Sequence, residues 1–428
     1  MTKRVLIFPC GSEIGLELHR SLAWCKHVDL IGASSVKSNH GKYVFENYVE
    51  GVPFVDEPDF IPELNEIIEK YRVDFIYPAH DSVVLRLIRC RTSLACDLIS
   101  SPVETCEICR SKSLTYTTFE GIVKVPQVYP SSRVISKFPV FLKPDVGQGS
   151  QGTNLALSAK DIDFYLEKDP SLLILEYLPG AEFTVDCFTD RHGVLRFVGG
   201  RQRVRIQSGI SVNARQVRAG GRIQQLAETI NGALNFRGAW FFQVKEAADG
   251  QLTLMEIAPR IAGTMGLYRN LGVNFALLSI YDRLDMEVEI LCNPYSIELD
   301  RALISRFQFY DLDYEYVYVD LDDTLIVDGK LNTMLLALLY QCLNKGKKLY
   351  LLSRHRGDIN HTLQQYRLDS LFDAVFQVGH VEEKIDYIRE RSAIFIDDSY
   401  LERERVSMEL GIPVFDLDAV ESLLDWRM

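Results

Sequence analysis

Apolar and polar positions alternate in a strand–helix rhythm at both ends of the chain, and the rhythm changes in the middle. From the N-terminus, strand-like runs at Val5–Phe8, Val28–Ile31 and Phe75–Tyr77 are separated by helical stretches such as Phe60–Tyr71. That alternation predicts a small parallel α/β unit. It returns late in the chain, with a strand at Tyr316–Val319, a helix over Asn332–Leu343 and strands at Lys348–Leu352 and Ala393–Ile396. Between these parts, strands dominate and helices are few. The polar, acidic stretch "QFYDLDYE" (308–315) marks a boundary. Three domains are therefore expected, 1–110, 111–310 and 311–428, without internal repeats or low-complexity tracts.

Length agrees with this division. A chain of 428 residues is too long for one core and suggests roughly two to four domains. Hydrophobic content of 47% and charged content of 25% are ordinary for a soluble protein. No window approaches a membrane span, and "MTKRVLIFPCG" enters a strand pattern without a signal-peptide core. A net charge of −12 argues against nucleic acid or an anionic membrane as the main partner. Nine scattered cysteines suit reduced thiols in a cytoplasm. Cys106 and Cys109 form a C-x-x-C without a second pair, which is poor support for zinc or redox chemistry.

Candidate chemistry begins at strand ends. "PCGSEIG" places Gly11 and Gly15 at a strand-to-helix turn without full dinucleotide spacing, so it reads as a tight turn. "YPAHDS" ends another strand. His80 and Asp81 there either face a substrate cleft or are an exposed histidine and a helix cap. In "FPVFLKPDVGQGSQGTNLAL" an apolar run leads to Lys143 and a loop with Gly147, Gly149 and Gly152. Glycines let backbone N–H groups approach phosphate oxygens, and lysine adds a point charge. A strand follows rather than a long helix, which fits a glycine flap or a plain hairpin loop better than a dinucleotide turn. "LLILEYLPGAEFTVDCF" and "AWFFQVKEAADGQLTLMEIAPRIAGT" then supply Glu176, Tyr177, Leu178, Glu182, Gln243, Glu256 and Arg260.

In this order and spacing, residues 1 to about 310 resemble the ATP-grasp superfamily. The nearest resemblance is to the branch of the carbamoyl-phosphate synthetase large subunit and carboxylate–amine ligases. It implies a Rossmann-like pre-ATP-grasp domain followed by an α+β ATP-grasp domain, with ATP and Mg²⁺ as cofactors. Lys112 and Lys143 would contact phosphates, under a loop formed by Gly147, Gly149 and Gly152. Glu176, Tyr177 and the Leu178 backbone would meet adenine, and Glu182 the ribose. Gln243 and Glu256 would hold metal, and Arg260 would stabilise the transferred phosphoryl group. The family's E-x-N-P-R reads "EIAPR" here, so Ala258 removes an oxygen ligand for a second metal. "GGRQRVRIQSGISVNARQVR" concentrates Arg201, Arg203, Arg205, Arg215 and Arg218. Period two puts Arg201, Arg203 and Arg205 on one strand face, suited to an anionic substrate or to a solvated edge.

"VDLDDTLIV" follows the apolar run 316–319 with packed carboxylates, a repulsion that a cation should offset. Downstream come Ser353 after "KLYLL", Lys384 opening a helix-like stretch, and Asp397-Asp398 ending "AIFIDD". In a parallel sheet these carboxyl-end residues share one crevice. The set resembles the haloacid dehalogenase (HAD) superfamily over about 311–428, and the spacing leaves no room for a large cap. The resemblance implies Asp320 as nucleophile and Asp322 as acid and base, with Ser353 and Lys384 on the phosphate. Mg²⁺ would sit on Asp320, the Asp322 carbonyl and Asp397.

The expected whole is an α/β, bifunctional enzyme. An ATP-dependent carboxylate–amine ligase working through an acyl phosphate is joined to a Mg²⁺-dependent phosphatase. Its partners would be a carboxylate, an amine and a phosphorylated small molecule, with no nucleic acid or membrane, and homodimerisation left open. Carbamoyl-phosphate or carboxylation chemistry is an alternative. A non-catalytic nucleotide-sensing grasp that regulates the phosphatase is another.

Overall fold

The structure, a computed structural model, describes residues 2–427 except 148, 150, 218, 219 and 380. Arg218 of the expected arginine cluster therefore lies outside the described residues. The chain forms two compact units, one running through Leu303 and the other comprising Ile304–Arg427.

The first unit opens with a five-stranded sheet in the order Asn47–Glu50, Val28–Ser34, Lys3–Phe8, Phe75–Pro78, Asp97–Leu98, parallel throughout. The helix Phe60–Tyr71 covers one face. Its Phe60, Ile61, Leu64 and Ile68 recur at helical spacing and pack on Leu6, Phe8, Ile31 and Ile76. The central strands Lys3–Phe8 and Phe75–Pro78 run into the helices Glu13–Leu22 and Asp81–Arg89. Ser12, His80 and Asp81 thus stand at one carboxyl edge. "PCGSEIG" is a tight turn. Ser12 Oγ accepts a hydrogen bond from Gly15 N at 3.0 Å, and a Cβ at Gly15 would lie 2.6 Å from the Pro9 carbonyl.

Two antiparallel sheets follow in the same unit. A four-stranded sheet has the order Val128–Tyr129, Leu172–Glu176, Val140–Pro144, Asn154–Ala156. A six-stranded sheet has the order Leu252–Ala258, Gly238–Glu246, Glu182–Thr189, Leu195–Gln207, Ile210–Val217, Glu298–Asp300. One face of the larger sheet is sealed by Trp240, Phe242, Val185 and Ile257, packed under Ala227 and Ile230 of the helix Arg222–Ala233. Alternation turns Gln243 and Glu256 to the other face. The residues before 111 belong to this same compact unit. Thr105 Oγ1 donates to Asn235 O at 2.9 Å and Asn274 Nδ2 to Ser21 O at 2.7 Å.

The second unit is a five-stranded parallel sheet, Ala374–Gln377, Lys348–Ser353, Tyr316–Val319, Ala393–Ile396, Val414–Phe415. Its central strand is buried on both faces, with Val317 and Val319 in one core and Tyr318 in the other. The helix Thr333–Asn344 starts where Asn332 Oδ1 accepts from Leu335 N at 3.2 Å. A small antiparallel hairpin pairs Ile326–Val327 with Lys330–Leu331 after the central strand. One element differs from the sequence pattern. Lys384 opens a single 3₁₀ turn, Lys384–Tyr387, rather than a helix. Ile388 is buried in the core with Ile385 and Tyr387 packed partly against it, and no side chain caps the start of the turn.

Candidate functional site

In the first unit, Lys112, Lys143, Gly147, Gly149, Glu176, Tyr177, Leu178 and Glu182 line one cavity of about 180 Å³, with Gln243 and Glu256 at its end. A second cavity of about 450 Å³ shares Lys112, Gly147, Gly149, Arg203, Gln243 and Glu256 with the first. It extends to Ser12, Glu13, His80, Asp81, Ala258, Arg260 and Arg301. Gln243 and Glu256 face each other across neighbouring strands, so two oxygen donors stand where the cavities meet. Ala258 follows on the same strand face and lines the larger cavity without a donor.

The lysines are placed by opposite means. Lys143 projects from the strand Val140–Pro144, buried, with Nζ 3.4 Å from Met255 O and 5.5 Å from the Tyr116 ring centre. Burial, helped by Lys112 and opposed by Glu256, lowers its pKa to about 8. Lys112 opens the helix Lys112–Phe119 and donates to Asp145 O at 3.1 Å. Burial lowers its pKa too, against the pull of Glu256. The glycine loop leaves Asp145, whose carboxylate accepts from Ser113 N at 2.7 Å. Gly152 does not line either cavity. It serves the turn instead, at φ +68°, where a Cβ would lie 3.0 Å from Pro144 Cγ.

The arginines separate by their partners. Arg201 is buried and doubly bonded to Asp186 at 2.7 and 2.9 Å, so its charge is already satisfied within the sheet. Arg203 bonds Glu182, Gln243 Oε1 at 3.1 Å and Gly209 O at 2.7 Å, at the junction of the cavities. Arg205 lines neither cavity and pairs with Asp300 at 2.9 Å at the sheet edge. The shared face expected from period two is broken by register shifts on either side of Arg205. Glu182, expected on the ribose, is engaged by Arg203 and lies 3.9 Å from Lys245.

Arg260 meets Asp81 in a bidentate pair, both contacts 2.6 Å. Burial disfavours the guanidinium charge, but Asp81 overrides it and the pKa rises. His80, not Asp81, is the helix cap, its Nδ1 accepting from Ser82 N at 3.3 Å. It lines the larger cavity as well. Burial lowers its pKa, partly offset by Asp81.

In the second unit, Asp320, Asp322, Ser353, Lys384 and Asp397 line one open cavity of about 470 Å³. Strand register explains the convergence. Val319 pairs with Leu351 on one side and Ile396 on the other, so Asp320 and Asp397 emerge level with each other and Ser353 ends the adjoining strand one residue further on. Lys384 Nζ lies 3.0 Å from Asp320 Oδ1 and 2.6 Å from Asp397 Oδ2. Burial and the nearby Asp320 push Asp397 up to about 6, against Lys384. Burial also raises Asp320, and the two carboxylates raise Lys384 despite its burial. One ammonium thus faces two buried carboxylates, with the buried Ser353 hydroxyl beside Asp320.

Asp320, Asp397 and Asp398 each offer a carboxylate oxygen within 4.8 Å of the others, a hard donor set that fits Mg²⁺. Asp398 was missing from the expected ligands, although it adjoins Asp397. The Asp322 side chain is not in that group. It turns to His355, whose Nδ1 lies 2.9 and 3.0 Å from its two oxygens. Sequence reasoning missed His355, and its only signal was a place two residues beyond Ser353. All nine cysteines are free. Burial pushes Cys106 up to about 11 and Cys109 up as well, which disfavours thiolate ligands.

Residues 168–298 match a family described as ATP-grasp in the biosynthetic pathway with Ter operon. A solved ADP complex of purK, an N5-carboxyaminoimidazole ribonucleotide synthetase, superposes with a TM-score of 0.57 at 14% identity, covering 69% of this chain and 80% of that one. The chain carries an ATP-grasp fold. Among curated proteins, the D-alanine–D-alanine ligase of Petrotoga mobilis is 29% identical over 99 residues, 22% of this chain and 33% of that one. The vancomycin/teicoplanin A-type resistance protein VanA of Enterococcus faecium is 29% identical over 199 residues, 38% of this chain and 54% of that one. The chain thus spans between a third and about half the length of these two relatives. Within the ATP-grasp fold, the paired cavities lie against the open face of the six-stranded sheet. Among the described residues, no helix is long and apolar enough to cross a membrane.

Proposed function

We propose a bifunctional cytoplasmic enzyme: an ATP-dependent carboxylate–amine ligase working through an acyl phosphate, joined to an aspartyl-phosphate phosphatase of the HAD type. The observation that carries the ligase reading is the pair of adjoining cavities with Gln243 and Glu256 at their junction. ATP lies in the smaller cavity, with adenine at Glu176–Leu178 and phosphates at Lys112, Lys143 and the glycine loop. The carboxylate substrate lies in the larger one, near Arg260 and His80. Its oxygen attacks the γ-phosphorus, ADP leaves, and the amine then displaces phosphate from the acyl carbon and loses a proton. Mg²⁺ held by Glu256 and Gln243 would neutralise phosphate charge. Lysines 112 and 143 keep the phosphoryl group in place, and Arg260 reaches it once its carboxylate partner Asp81 is exchanged for substrate.

In the phosphatase, an Asp320 oxygen attacks phosphorus while Asp322 gives a proton to the leaving oxygen. Asp322 then takes a proton from water as the aspartyl phosphate is hydrolysed. Lys384 and Ser353 hold the phosphate oxygens. Asp320, Asp397 and the Asp322 carbonyl, with Asp398 nearby, would bind the Mg²⁺ that screens this charge. The test is to measure ADP and phosphate release separately. ADP release should need both a carboxylate and an amine, and phosphate release from a phosphomonoester should need no ATP. ADP release indifferent to both acceptors would sink the ligase reading.

Lys143 gives a prediction in pH. Its pKa is about 8 in the free protein, and adjacent phosphates raise it. ATP binding above pH 8 should therefore take up protons. Calorimetry in buffers of different ionisation enthalpy reads this uptake, and Lys143→Met should abolish it.

A second reading, a nucleotide sensor, is favoured by Ala258 and by the Asp81 carboxylate already on Arg260. Ala258→Asn would put an oxygen beside Glu256. On the ligase reading, it tightens Mg²⁺ binding to the ADP complex about tenfold and shifts the Mg²⁺ dependence of kcat to lower concentration. Tighter metal binding without ligation at any Mg²⁺ concentration would favour the sensor.

A further inference from the structure

His355 has no part in the chemistry assigned above, yet it is held as firmly as the groups that do. Its Nδ1 meets both oxygens of Asp322 at 2.9 and 3.0 Å, and its Nε2 meets Thr362 Oγ1 at 2.9 Å. Thr362 sits on the helix Ile359–Gln365, which Asp358 caps by accepting from Asn360 N at 3.0 Å. Gln377 Nε2 donates to His355 O at 2.8 Å and Gly357 O at 2.9 Å, fixing the main chain on either side of Arg356. A Cβ at Gly357 would stand 3.1 Å from His355 Nε2, so a glycine there leaves the ring its place. Asp322 by contrast is half exposed, and among the described residues no other side chain bonds its carboxylate.

We propose that His355 is a positioning residue that aims the Asp322 carboxyl at the leaving-group oxygen. The inference rests on the phosphatase reading and deepens it. An exposed aspartate on a turn has several rotamers, and only one brings its proton to the departing oxygen. An Nδ1–H donor shared by both oxygens selects that rotamer, and Thr362 fixes the ring that carries it. In the first step the Asp320–phosphorus bond forms, the bond from phosphorus to the leaving oxygen breaks, and the Asp322 proton passes to that oxygen. In the second, water adds to phosphorus, its proton returns to Asp322, and Asp320 leaves as a carboxylate.

Leaving groups separate this role from a structural one. A nitrophenolate departs without a proton, whereas an alkoxide needs one. Rapid-mixing kinetics on the full chain should therefore show His355→Ala releasing the first equivalent of nitrophenolate within about twofold of wild type. Turnover of glycerol phosphate should fall about tenfold or more. A stoichiometric nitrophenolate burst should appear, because hydrolysis of the aspartyl phosphate still needs Asp322 as base. His355→Asn keeps a donor near the Nδ1 position and should restore much of the alkyl phosphate turnover, which also controls for misfolding. Equal losses on both substrates, or no loss on glycerol phosphate, would overturn the role of His355. The underlying reading fails separately, if Asp320→Asn keeps full turnover of both substrates.

Discussion

Asp320→Asn lowers phosphate release from a phosphomonoester by about a thousandfold or more, while ADP formation by the first unit is unchanged. Asparagine keeps the shape and removes the attacking oxygen, so the loss falls on chemistry rather than on folding. Stability should move the other way. Asp320 and Asp397 are both buried, and the single Lys384 between them leaves one charge uncompensated. Burial and Asp320 raise Asp397 from 3.8 to about 6, so without metal the folded state binds this proton more tightly than the unfolded one. The stabilisation is complete below about pH 4 and is lost as pH rises through about 6. Without Mg²⁺, the wild-type second unit should lose melting temperature over that window, and Asp320→Asn should lose less. Added Mg²⁺ should flatten the wild-type curve by restoring charge balance. Thermal unfolding across pH, with and without Mg²⁺, checks this. Undiminished phosphatase turnover in Asp320→Asn would show that no covalent aspartyl phosphate forms.

Lys143→Ala cuts ADP formation about a hundredfold to a thousandfold and weakens ATP binding. The ammonium is buried where it lines the smaller cavity, beside Tyr116 and the Met255 carbonyl, and the proposed function puts the ATP phosphates there. A charge held there without water acts strongly on a phosphoryl group whose charge spreads as it transfers. The same burial is unfavourable without nucleotide, as its lowered pKa records. Lys143→Met keeps most of the volume and removes that cost. It should unfold at a higher temperature than wild type at pH 7 without ATP, and gain less from added ATP. The wild-type cost shrinks as pH rises from about 8 towards 10.5, so the difference between the two proteins should narrow there. A Lys143→Ala protein with wild-type ADP formation would mean that the phosphates lie elsewhere.

The parts of both sites legible in the sequence are those that local order determines. An apolar run ends, and its next polar residue emerges at the carboxyl edge of a sheet. That rule located Asp320, Ser353 and Asp397, whereas Lys143 closes an apolar run inside the strand Val140–Pro144 and Glu256 lies within the strand Leu252–Ala258, where only the order of motifs singled it out. The helix Phe60–Tyr71 and the strand Ala393–Ile396 begin and end where the hydrophobic pattern does. Partners could not be read in this way, because an ion pair is chosen by proximity across elements. Arg260 finds Asp81 from 179 positions away, and Arg201 is consumed by Asp186 on the neighbouring strand. Two register shifts turned Arg205 towards Asp300 and away from the cavities. His355 met Asp322 only because two parallel strands placed their following turns side by side. Residue type and spacing set which groups reach an edge. Strand order, bulges and the packing of turns, all products of the whole fold, decide which of those groups remain available for chemistry.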